Sequence, residues 1–228
     1  MSSGKAERSD GNGAVDILDV QLTRRRWLTA HTFELCFTRP PGLVFRPGQK
    51  VGFFHQACRR DYSLISASQD QELAICVRQV PQGRFSPLLA MAPMGSHFRI
   101  KPPFGFFTFQ SSDRQAVFIA TGTGIAPFVA FVRAGVRNFH LLHGVRLAEE
   151  LYYQPELSQA ALSYTACVSG EQRAGTAFAG RVTTYLEHHF KPGAYDFYLC
   201  GRAEMIRDAT RLIDQRFSGS YVFSETFF

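Results

Sequence analysis

The chain has 228 residues, of which 45% are hydrophobic and 19% are charged, and its formal net charge is +6. This length and apolar content provide for one large or two ordinary folded domains, which excludes a chain that is disordered throughout. The positive charge suits an anionic partner, but no nucleic-acid-binding motif accompanies its densest cluster, Arg24-Arg25-Arg26, so nucleic acid is excluded and the cluster is interpreted as a solvated strand end or turn.

Residues 1–13 hold Ser, Gly and charged residues with almost nothing apolar, and they are predicted to form a disordered tail. No apolar segment follows them, so a signal peptide is not expected. The uncharged stretch 116–132 is short for a membrane span and is broken by two glycines and a proline, so no membrane association is expected. Five scattered cysteines without a C-x-x-C pair favour reduced thiols in the cytoplasm, and no zinc or iron-sulfur ligand set is expected.

The first half of the chain has the pattern of an antiparallel β-barrel. Short apolar segments at 33–37, 51–55 and 72–77 alternate with turns that contain glycine or proline. This pattern predicts a barrel domain over residues 14–110. The polar stretch 110–114 is the predicted joint to a second domain.

Two short motifs lie within this half. Arg60-Asp61-Tyr62-Ser63 places a guanidinium, an aromatic ring and a hydroxyl close together on a predicted strand. Gly83-Arg84-Phe85-Ser86 precedes Pro87, so Ser86 is predicted to cap a helix whose first turn contains Pro87. Each motif alone has an ordinary structural explanation, a strand with a buried tyrosine and a plain helix cap.

The second half alternates apolar strands with helical stretches. Strands are predicted at 139–143, 163–168 and 196–200, and a helix is predicted at 203–217. This alternation predicts an α/β domain with a parallel sheet over residues 115–228.

A glycine-containing turn opens this second half. The segment 121–127, Thr-Gly-Thr-Gly-Ile-Ala-Pro, follows the apolar run 116–120 and is predicted to join a strand to a helix. Gly122 and Gly124 are expected to take positive φ and let the backbone approach an anion, and Pro127 suits a first helical turn. The turn predicts a pyrophosphate site, although two glycines alone are a weak signal.

The order and spacing of these motifs resemble the ferredoxin-NADP reductase family over about residues 14–228. The shared features are R-x-Y-S at 60–63, G-x-x-S at 83–86, G-T-G-I-A-P at 122–127, the pair Cys200-Gly201 and an aromatic C-terminus. The resemblance is to the bacterial type, and it implies an FAD-binding antiparallel β-barrel followed by an NAD(P)-binding α/β domain with a parallel sheet.

By this resemblance, Tyr62 stacks on the isoalloxazine ring, Ser63 lies near flavin N5 and Arg60 contacts the pyrophosphate. A flat aromatic wall, a hydroxyl and a bidentate guanidinium suit a flavin chemically. The further flavin-site residues that it implies are Cys76, Val77, Gly83 and Ser86. FAD is favoured over FMN, although the short loop between Arg78 and Gly83 offers no evident aromatic clamp for the adenine.

The resemblance also assigns Cys200 to a position beside nicotinamide C4, where it shapes hydride transfer without acting as a nucleophile. The other residues implied for the pyridine nucleotide are Thr121, Gly122, Gly124, Pro127 and Gly201.

The choice of pyridine nucleotide depends on groups for the 2′-phosphate, for which the resemblance points to Arg146, Ser169 and Arg181. Gly170 stands where many NADP-dependent members have arginine, and Arg173 is expected to substitute for it. No acidic residue ends the predicted strand 139–143, so NADP is favoured and NAD stays open.

The chain ends in a Glu-x-aromatic pattern, Glu225-Thr226-Phe227, which family members often show, with Phe228 as a one-residue extension. Phe227 is predicted to cover the flavin face; stacking by Phe228, or packing of both rings in the core, are the alternatives. Ser63, Cys200 and Glu225 are the candidate catalytic residues that line the nicotinamide side.

The function implied is hydride transfer between NADP(H) and FAD, with single electrons passed to or from an acidic one-electron carrier, ferredoxin or flavodoxin. Two alternatives stay open. The first is an NADH-dependent reductase component of an oxygenase system, and the second is a non-catalytic flavin-binding subunit that senses redox state or routes electrons.

Overall fold

The computed structural model describes residues 17–56, 58–170 and 177–227. The predicted tail at 1–13 lies outside these residues. The described residues form two domains, each built on a six-stranded sheet, joined by the segment 105–114.

The first domain is an antiparallel barrel with one short helix. Its elements are β1 (Leu18–Trp27), β2 (Thr32–Thr38), β3 (Lys50–His55), β4 (Cys58–Ser63), β5 (Glu72–Arg78), α1 (Ser86–Met91) and β6 (His97–Phe104). The strand order is β4-β3-β6-β1-β2-β5, and an antiparallel bridge between Leu64 and Ile75 joins the two ends of the sheet. The predicted barrel is confirmed.

Successive side chains along a strand point to opposite faces of the sheet, so neighbouring residues pack in different hydrophobic cores. In β2, Phe33, Leu35 and Phe37 fill the barrel interior, whereas Cys36 joins the core that the barrel shares with the second domain. The strand is therefore buried on both faces, because the second domain covers the outside of the barrel here.

The second domain is an α/β domain in which every described strand pairing is parallel. Its elements are β7 (Gln115–Thr121), α2 (Ala126–Arg133), β8 (His140–Val145), α3 (Gln154–Ala160), β9 (Ser163–Val168), β10 (Phe178–Ala179), α4 (Val182–His189), β11 (Tyr195–Arg202), α5 (Ala203–Arg216) and β12 (Tyr221–Phe227). The strand order is β10-β9-β8-β7-β11-β12, which confirms the predicted parallel sheet.

The order of the strands reverses its direction between β7 and β11, and the carboxyl ends of strands at such a switch point form a crevice that binds ligands. Helices cover both faces of the sheet. On one face Phe118 stacks on Phe128 of α2 with ring centroids 4.7 Å apart, and on the other face α5 buries Met205, Ile206, Ala209 and Ile213.

Polar contacts across the domain interface supplement the shared apolar core. The Tyr153 hydroxyl donates to the buried Glu34 carboxylate at 3.1 Å, and the Arg78 guanidinium pairs with Glu150 at 2.8 Å. Within the described residues, no helix is long and apolar enough to cross a membrane. All five cysteines are described and none is in a disulfide.

Candidate active site

A cleft of about 1000 Å³ lies between the barrel and the carboxyl ends of the parallel strands. Barrel residues that line it include Lys50, Arg60, Tyr62, Ser63, Cys76, Arg78, Gly83, Arg84 and Ser86. Residues of the second domain that line it include Thr121, Gly122, Arg146, Ser169, Arg181, Arg202, Glu225 and Phe227. Motifs far apart in the sequence thus share one cavity.

Strand β4 supplies the barrel wall of the cleft. The Tyr62 ring lies near that of Phe85, with centroids 6.2 Å apart and planes inclined by 29°, and it meets Phe53 edge-on. Burial raises the pKa of the Tyr62 phenol above its ordinary value, so this ring is a neutral surface at physiological pH.

Ser63 ends the same strand, and its side chain is buried. Its Oγ has no hydrogen-bond partner among the described residues, although it lines the cleft. Buried hydroxyls in proteins are nearly always paired, so an orphan at a cavity wall marks a place for a ligand atom.

Ser86 does not cap its helix, contrary to the prediction. The residue at the N-cap is Phe85, and Ser86 is the first helical residue, with Pro87 in the first turn as predicted. The Ser86 Oγ instead accepts the backbone N–H of Val80 at 2.9 Å, and the Gly83 N–H donates to the Val80 carbonyl at 2.8 Å. Ser86 thus stabilises the 79–83 turn at the cleft edge.

Adjacent residues of β5 face opposite sides of the barrel wall, which corrects the prediction for Val77. Cys76 lines the cleft, whereas the Val77 side chain packs in the barrel interior and does not line it. Burial raises the pKa of the Cys76 thiol to about 12, so this thiol stays protonated and unreactive.

The glycine turn lies where it was predicted, but its two glycines are required for different reasons. Gly122 takes φ of +54° as predicted and lines the cleft, and residues 122–125 form a 3-10 turn before α2. Gly124 does not take positive φ, contrary to the prediction. A Cβ there would lie 2.4 Å from the carbonyl oxygen of Cys200, so close packing on β11 requires glycine.

Three other residues predicted to contact the nucleotide lie behind the wall of the cleft. Pro127 is in the first turn of α2, as predicted, but it is buried there. Gly201 packs against Thr121, whose Oγ1 would lie 2.1 Å from a Cβ at this glycine. Cys200 is fully buried in the shared core, contrary to the prediction that it lines the nicotinamide side. These residues shape the wall without being on its surface.

The Cys200 thiol is held in its neutral form. Burial raises its pKa well above the ordinary value, the charge of Glu225 acts in the same direction, and Lys50 opposes it. This agrees with the prediction that Cys200 is not a nucleophile, because the thiolate is the reactive form.

Strand β12 brings Glu225 and Phe227 to the cleft. Glu225 lies opposite Cys200 of β11 in the strand register, and its carboxylate forms an ion pair with Lys50 of the barrel. The Phe227 ring is half-buried against the shared core and lines the cleft. Phe228 lies outside the described residues.

Lys50 was missed by sequence reasoning. The only signal was a lysine at the start of an otherwise apolar run, Lys50-Val-Gly-Phe-Phe, and a strand end is an ordinary place for a charge.

The far end of the cleft is basic. Arg146 and Arg181 are exposed and line it, and the Ser169 Oγ donates to the carbonyl of Val145 at 3.2 Å. Gly170 has no room for an arginine, because a Cβ there would lie 2.3 Å from the Arg146 carbonyl oxygen. The predicted substitute, Arg173, lies outside the described residues.

Several arginines of the cleft lack an acidic partner. Among the described residues, those that line the cleft and make no ion pair are Arg60, Arg84, Arg146, Arg181 and Arg202. Unpaired guanidinium groups around a cavity suit phosphate groups, which they bind bidentately. Together with the Tyr62 ring and the orphan Ser63 hydroxyl, they fit a ligand that has both aromatic rings and phosphates, such as a flavin or a pyridine dinucleotide.

Two family models match the chain, one for each domain. The oxidoreductase FAD-binding domain matches residues 20–109, and the oxidoreductase NAD-binding domain matches residues 118–211. They correspond to the barrel and to the parallel-sheet domain.

Curated relatives include two kinds of electron-transfer protein. The chain is 31% identical over 185 residues to the toluate 1,2-dioxygenase electron transfer component of Pseudomonas putida, an alignment that covers 75% of this chain and 55% of that protein. It is 27% identical over 204 residues to the flavodoxin/ferredoxin–NADP reductase of Shigella flexneri, covering 79% of this chain and 80% of that one. The chain spans about half the length of the first of these relatives.

Among solved structures, a ferredoxin NADP+ reductase from Neisseria gonorrhoeae with bound FAD and NADP has the same fold, with a TM-score of 0.80. The two sequences are 21% identical, and the match covers 93% of this chain and 99% of the other. With both domain models matched and this fold present, the chain belongs to the ferredoxin-NADP reductase family of FAD- and NAD(P)-binding oxidoreductases.

Proposed function

We propose that this protein is an FAD-dependent oxidoreductase that transfers hydride between NADP(H) and flavin and passes single electrons to or from ferredoxin or flavodoxin. The observation that carries the proposal is the orphan hydroxyl of Ser63, buried at the wall of a cleft between an FAD-binding and an NAD-binding domain. The domain boundaries proposed are 14–110 and 115–228.

FAD, when bound, supplies the chemistry, because a flavin accepts a hydride and releases electrons singly. The residues of the chain would hold the flavin and orient it. Tyr62 offers a neutral aromatic face, Ser63 offers a hydroxyl without another partner, and Arg60 offers a guanidinium without an acidic partner among the described residues. Phe227 covers the cleft from the side of the second domain, and hydride transfer needs a cleft closed to water.

NADP is the nucleotide we propose. Arg146 and Arg181 reach the cleft with no acidic partner among the described residues, and a 2′-phosphate would provide one. Gly170, which stands where many NADP-dependent members have arginine, is explained by its contact with the Arg146 carbonyl, so its presence does not argue against NADP.

The test is reduction of the FAD-reconstituted protein by NADPH and by NADH in a stopped-flow instrument, followed through flavin absorbance. We expect rapid bleaching by NADPH. A protein that binds no flavin would refute the proposal, and bound flavin that neither nucleotide reduces would indicate the redox-sensing or electron-routing subunit. Ser63→Ala is expected to slow bleaching while flavin stays bound, because only the hydroxyl is lost.

A second candidate is favoured by one observation. One relative is the electron transfer component of toluate 1,2-dioxygenase, and another is component C of the methane monooxygenase of Methylosinus trichosporium. A third is the xylene/toluene monooxygenase electron transfer component of Pseudomonas putida, which aligns over 91% of this chain at 28% identity. The protein would then be the NADH-dependent reductase of an oxygenase system. Faster bleaching by NADH than by NADPH would select this candidate.

We propose an acidic protein as the electron carrier and the cytoplasm as the location. The support for the carrier is the net charge of +6 and a patch of cations on the barrel, which we call the basic patch and define as Arg59, Arg99 and Lys101. Arg59 and Lys101 lie over the Phe104 ring, and Arg99 lies across Phe54 from Arg59 in the strand register. Arg59 is also ion-paired with Asp61, so among the described residues of the patch Arg99 and Lys101 supply the unpaired charge. Near this patch, Phe106 is fully exposed. The support for the cytoplasm is that the five cysteines are unpaired.

A further inference from the structure

One ion pair crosses from the barrel to the last strand inside the cleft. Lys50 is the first residue of β3, and its Cα is paired with that of Ser63 in β4. Its Nζ contacts the Glu225 carboxylate of β12. Both side chains line the cleft, and the Glu225 side chain is only 9% exposed while that of Lys50 is 26% exposed.

Each member of this pair depends on the other. Among the described residues, the Glu225 carboxylate has no other hydrogen-bond or ion-pair partner, and the Lys50 ammonium has none either. The ammonium also lies near the ring of Phe104, whose centroid is 5.6 Å from Nζ. Loss of one member would therefore leave a single, largely buried charge facing the cleft.

A stabilising role alone explains this arrangement poorly. Bringing two charges out of water costs about as much as their attraction returns, so buried ion pairs are weak evidence for stability. A second interdomain pair, Arg78 with Glu150, already joins the domains at the same cleft. What distinguishes Lys50 is its partner, because Glu225 is the carboxylate proposed to lie on the nicotinamide side.

We propose that Lys50 is a positioning residue of the active site: its ammonium holds the Glu225 carboxylate of the last strand against the barrel at the wall that contains Ser63 and cancels its charge there. The inference rests on the proposed function, since the charge matters to a flavin bound against that wall. Lys50 and Glu225 together present no net charge to the cleft. Reduction adds electron density to a flavin, so a nearby cation favours the reduced form and a nearby anion disfavours it.

The test is a double-mutant cycle read as the midpoint potential of the bound flavin in Lys50→Met, Glu225→Gln and the double variant. Lys50→Met leaves the carboxylate alone, so the potential is expected to fall. Glu225→Gln leaves the ammonium alone, so the potential is expected to rise. The double variant is expected to return close to wild type. We expect each single variant to change the ratio of the affinities for reduced and oxidised flavin about tenfold. For a two-electron couple this change corresponds to a shift of about 30 mV in the midpoint potential.

Two controls separate charge from structural damage. Lys50→Arg keeps the charge and is expected to hold the wild-type potential. Arg78→Met breaks the other interdomain pair and is expected to lower the unfolding temperature. If it also changes the flavin potential, adding Glu225→Gln is not expected to restore the wild-type value, because Glu225 is not the partner of Arg78. Unfolding of the four cycle proteins without added flavin gives a second readout, in which the double variant is expected to lose less than the sum of the single losses.

If the wild-type protein binds flavin but the midpoint potentials of both single variants shift in the same direction, this inference is overturned and the proposed function is left intact. Additive unfolding losses would also overturn it, because the two side chains would then not interact. A wild-type protein that binds no flavin would overturn the proposed function and this inference with it.

Discussion

Arg181 is the single residue whose loss most directly tests the choice of nucleotide. We expect Arg181→Ala to weaken binding of NADPH by about 1.5–3 kcal/mol, the range for a hydrogen bond to a charged group, and to leave NADH unchanged. Titration of each nucleotide against the flavin-loaded protein measures both. Arg216→Ala, an exposed arginine in the last turn of α5 that does not line the cleft, is the matched control. Equal losses for NADPH and NADH would contradict the assignment.

His143 is a buried residue that links stability to pH. Its ring is fully buried in β8, its Nδ1 bonds the Tyr164 hydroxyl at 2.8 Å, and burial lowers its pKa from 6.5 to about 3. As the pH falls through 6.5, this histidine is protonated in the unfolded chain but stays neutral in the folded chain. Protonation therefore stabilises the unfolded state, and the free energy of unfolding decreases as the pH falls below 6.5.

The expected slope from this one proton is about 1.4 kcal/mol per pH unit below pH 6.5. His143→Gln keeps a hydrogen-bonding side chain but does not titrate, so its free energy of unfolding should depend less on pH between 6.5 and 5, the range above most carboxyl titration. Urea unfolding at a series of pH values measures this. Parallel curves for the two proteins would show that the histidine is not responsible.

At the scale of an element, the glycine turn between β7 and α2 shows two different requirements for glycine. Gly122 needs glycine for its positive φ and has open space around it, whereas Gly124 needs it because the Cys200 carbonyl lies where a Cβ would be. Alanine at 122 should cost about 1 kcal/mol of stability through backbone strain.

Alanine at 124 should cost more, about 1–3 kcal/mol, because the turn at 122–125 must move away from β11 to admit the methyl group. Thermal unfolding of Gly122→Ala and Gly124→Ala compares the two directly. A larger loss in Gly122→Ala would show that the turn, and not its packing on β11, limits stability here.

At the scale of the whole molecule, charge decides how a partner approaches. The basic patch includes Arg59 and Arg99, which flank Phe54 across three neighbouring strands, and Lys101, whose Nζ lies 4.5 Å from the centroid of the Phe104 ring. An acidic carrier should be steered to such a surface, and the association rate should fall as salt is added.

Arg99→Glu combined with Lys101→Glu is expected to slow reduction of an acidic ferredoxin or flavodoxin by about tenfold or more at low salt, because electrostatic steering contributes factors of this size. Reduction of a neutral dye should not change, since no steering is involved. Arg216→Glu, outside the patch, controls for net charge. If the reduction of the acidic carrier and of the neutral dye slowed equally, the substitutions would be acting on the flavin site and not on docking of the carrier.

The architecture could be predicted from local pattern, because the periodicity of apolar residues and the positions of glycine and proline are properties of short segments. The strands predicted at 33–37, 51–55, 72–77 and 163–168 and the helix beginning at Ala203 lie where the pattern indicated them, within a residue or two at their ends. The pattern did not predict β1 or β6, because Arg24-Arg25-Arg26 and Pro102-Pro103 within them are typical of turns. The residues of R-x-Y-S and the glycine turn reach one cleft as the resemblance implied.

What only the tertiary structure decided is which neighbours in sequence face the cleft and which groups meet across it. Cys76 lines the cleft and Val77 does not, since β5 turns successive side chains to opposite faces of a barrel wall. Cys200 lies behind the wall because its side chain belongs to the core that the two domains share, and the turn at 122–125 packs on its backbone. The pairing of Lys50 with Glu225 joins residues 175 positions apart, and no local pattern contains information on a contact created by docking one domain against another.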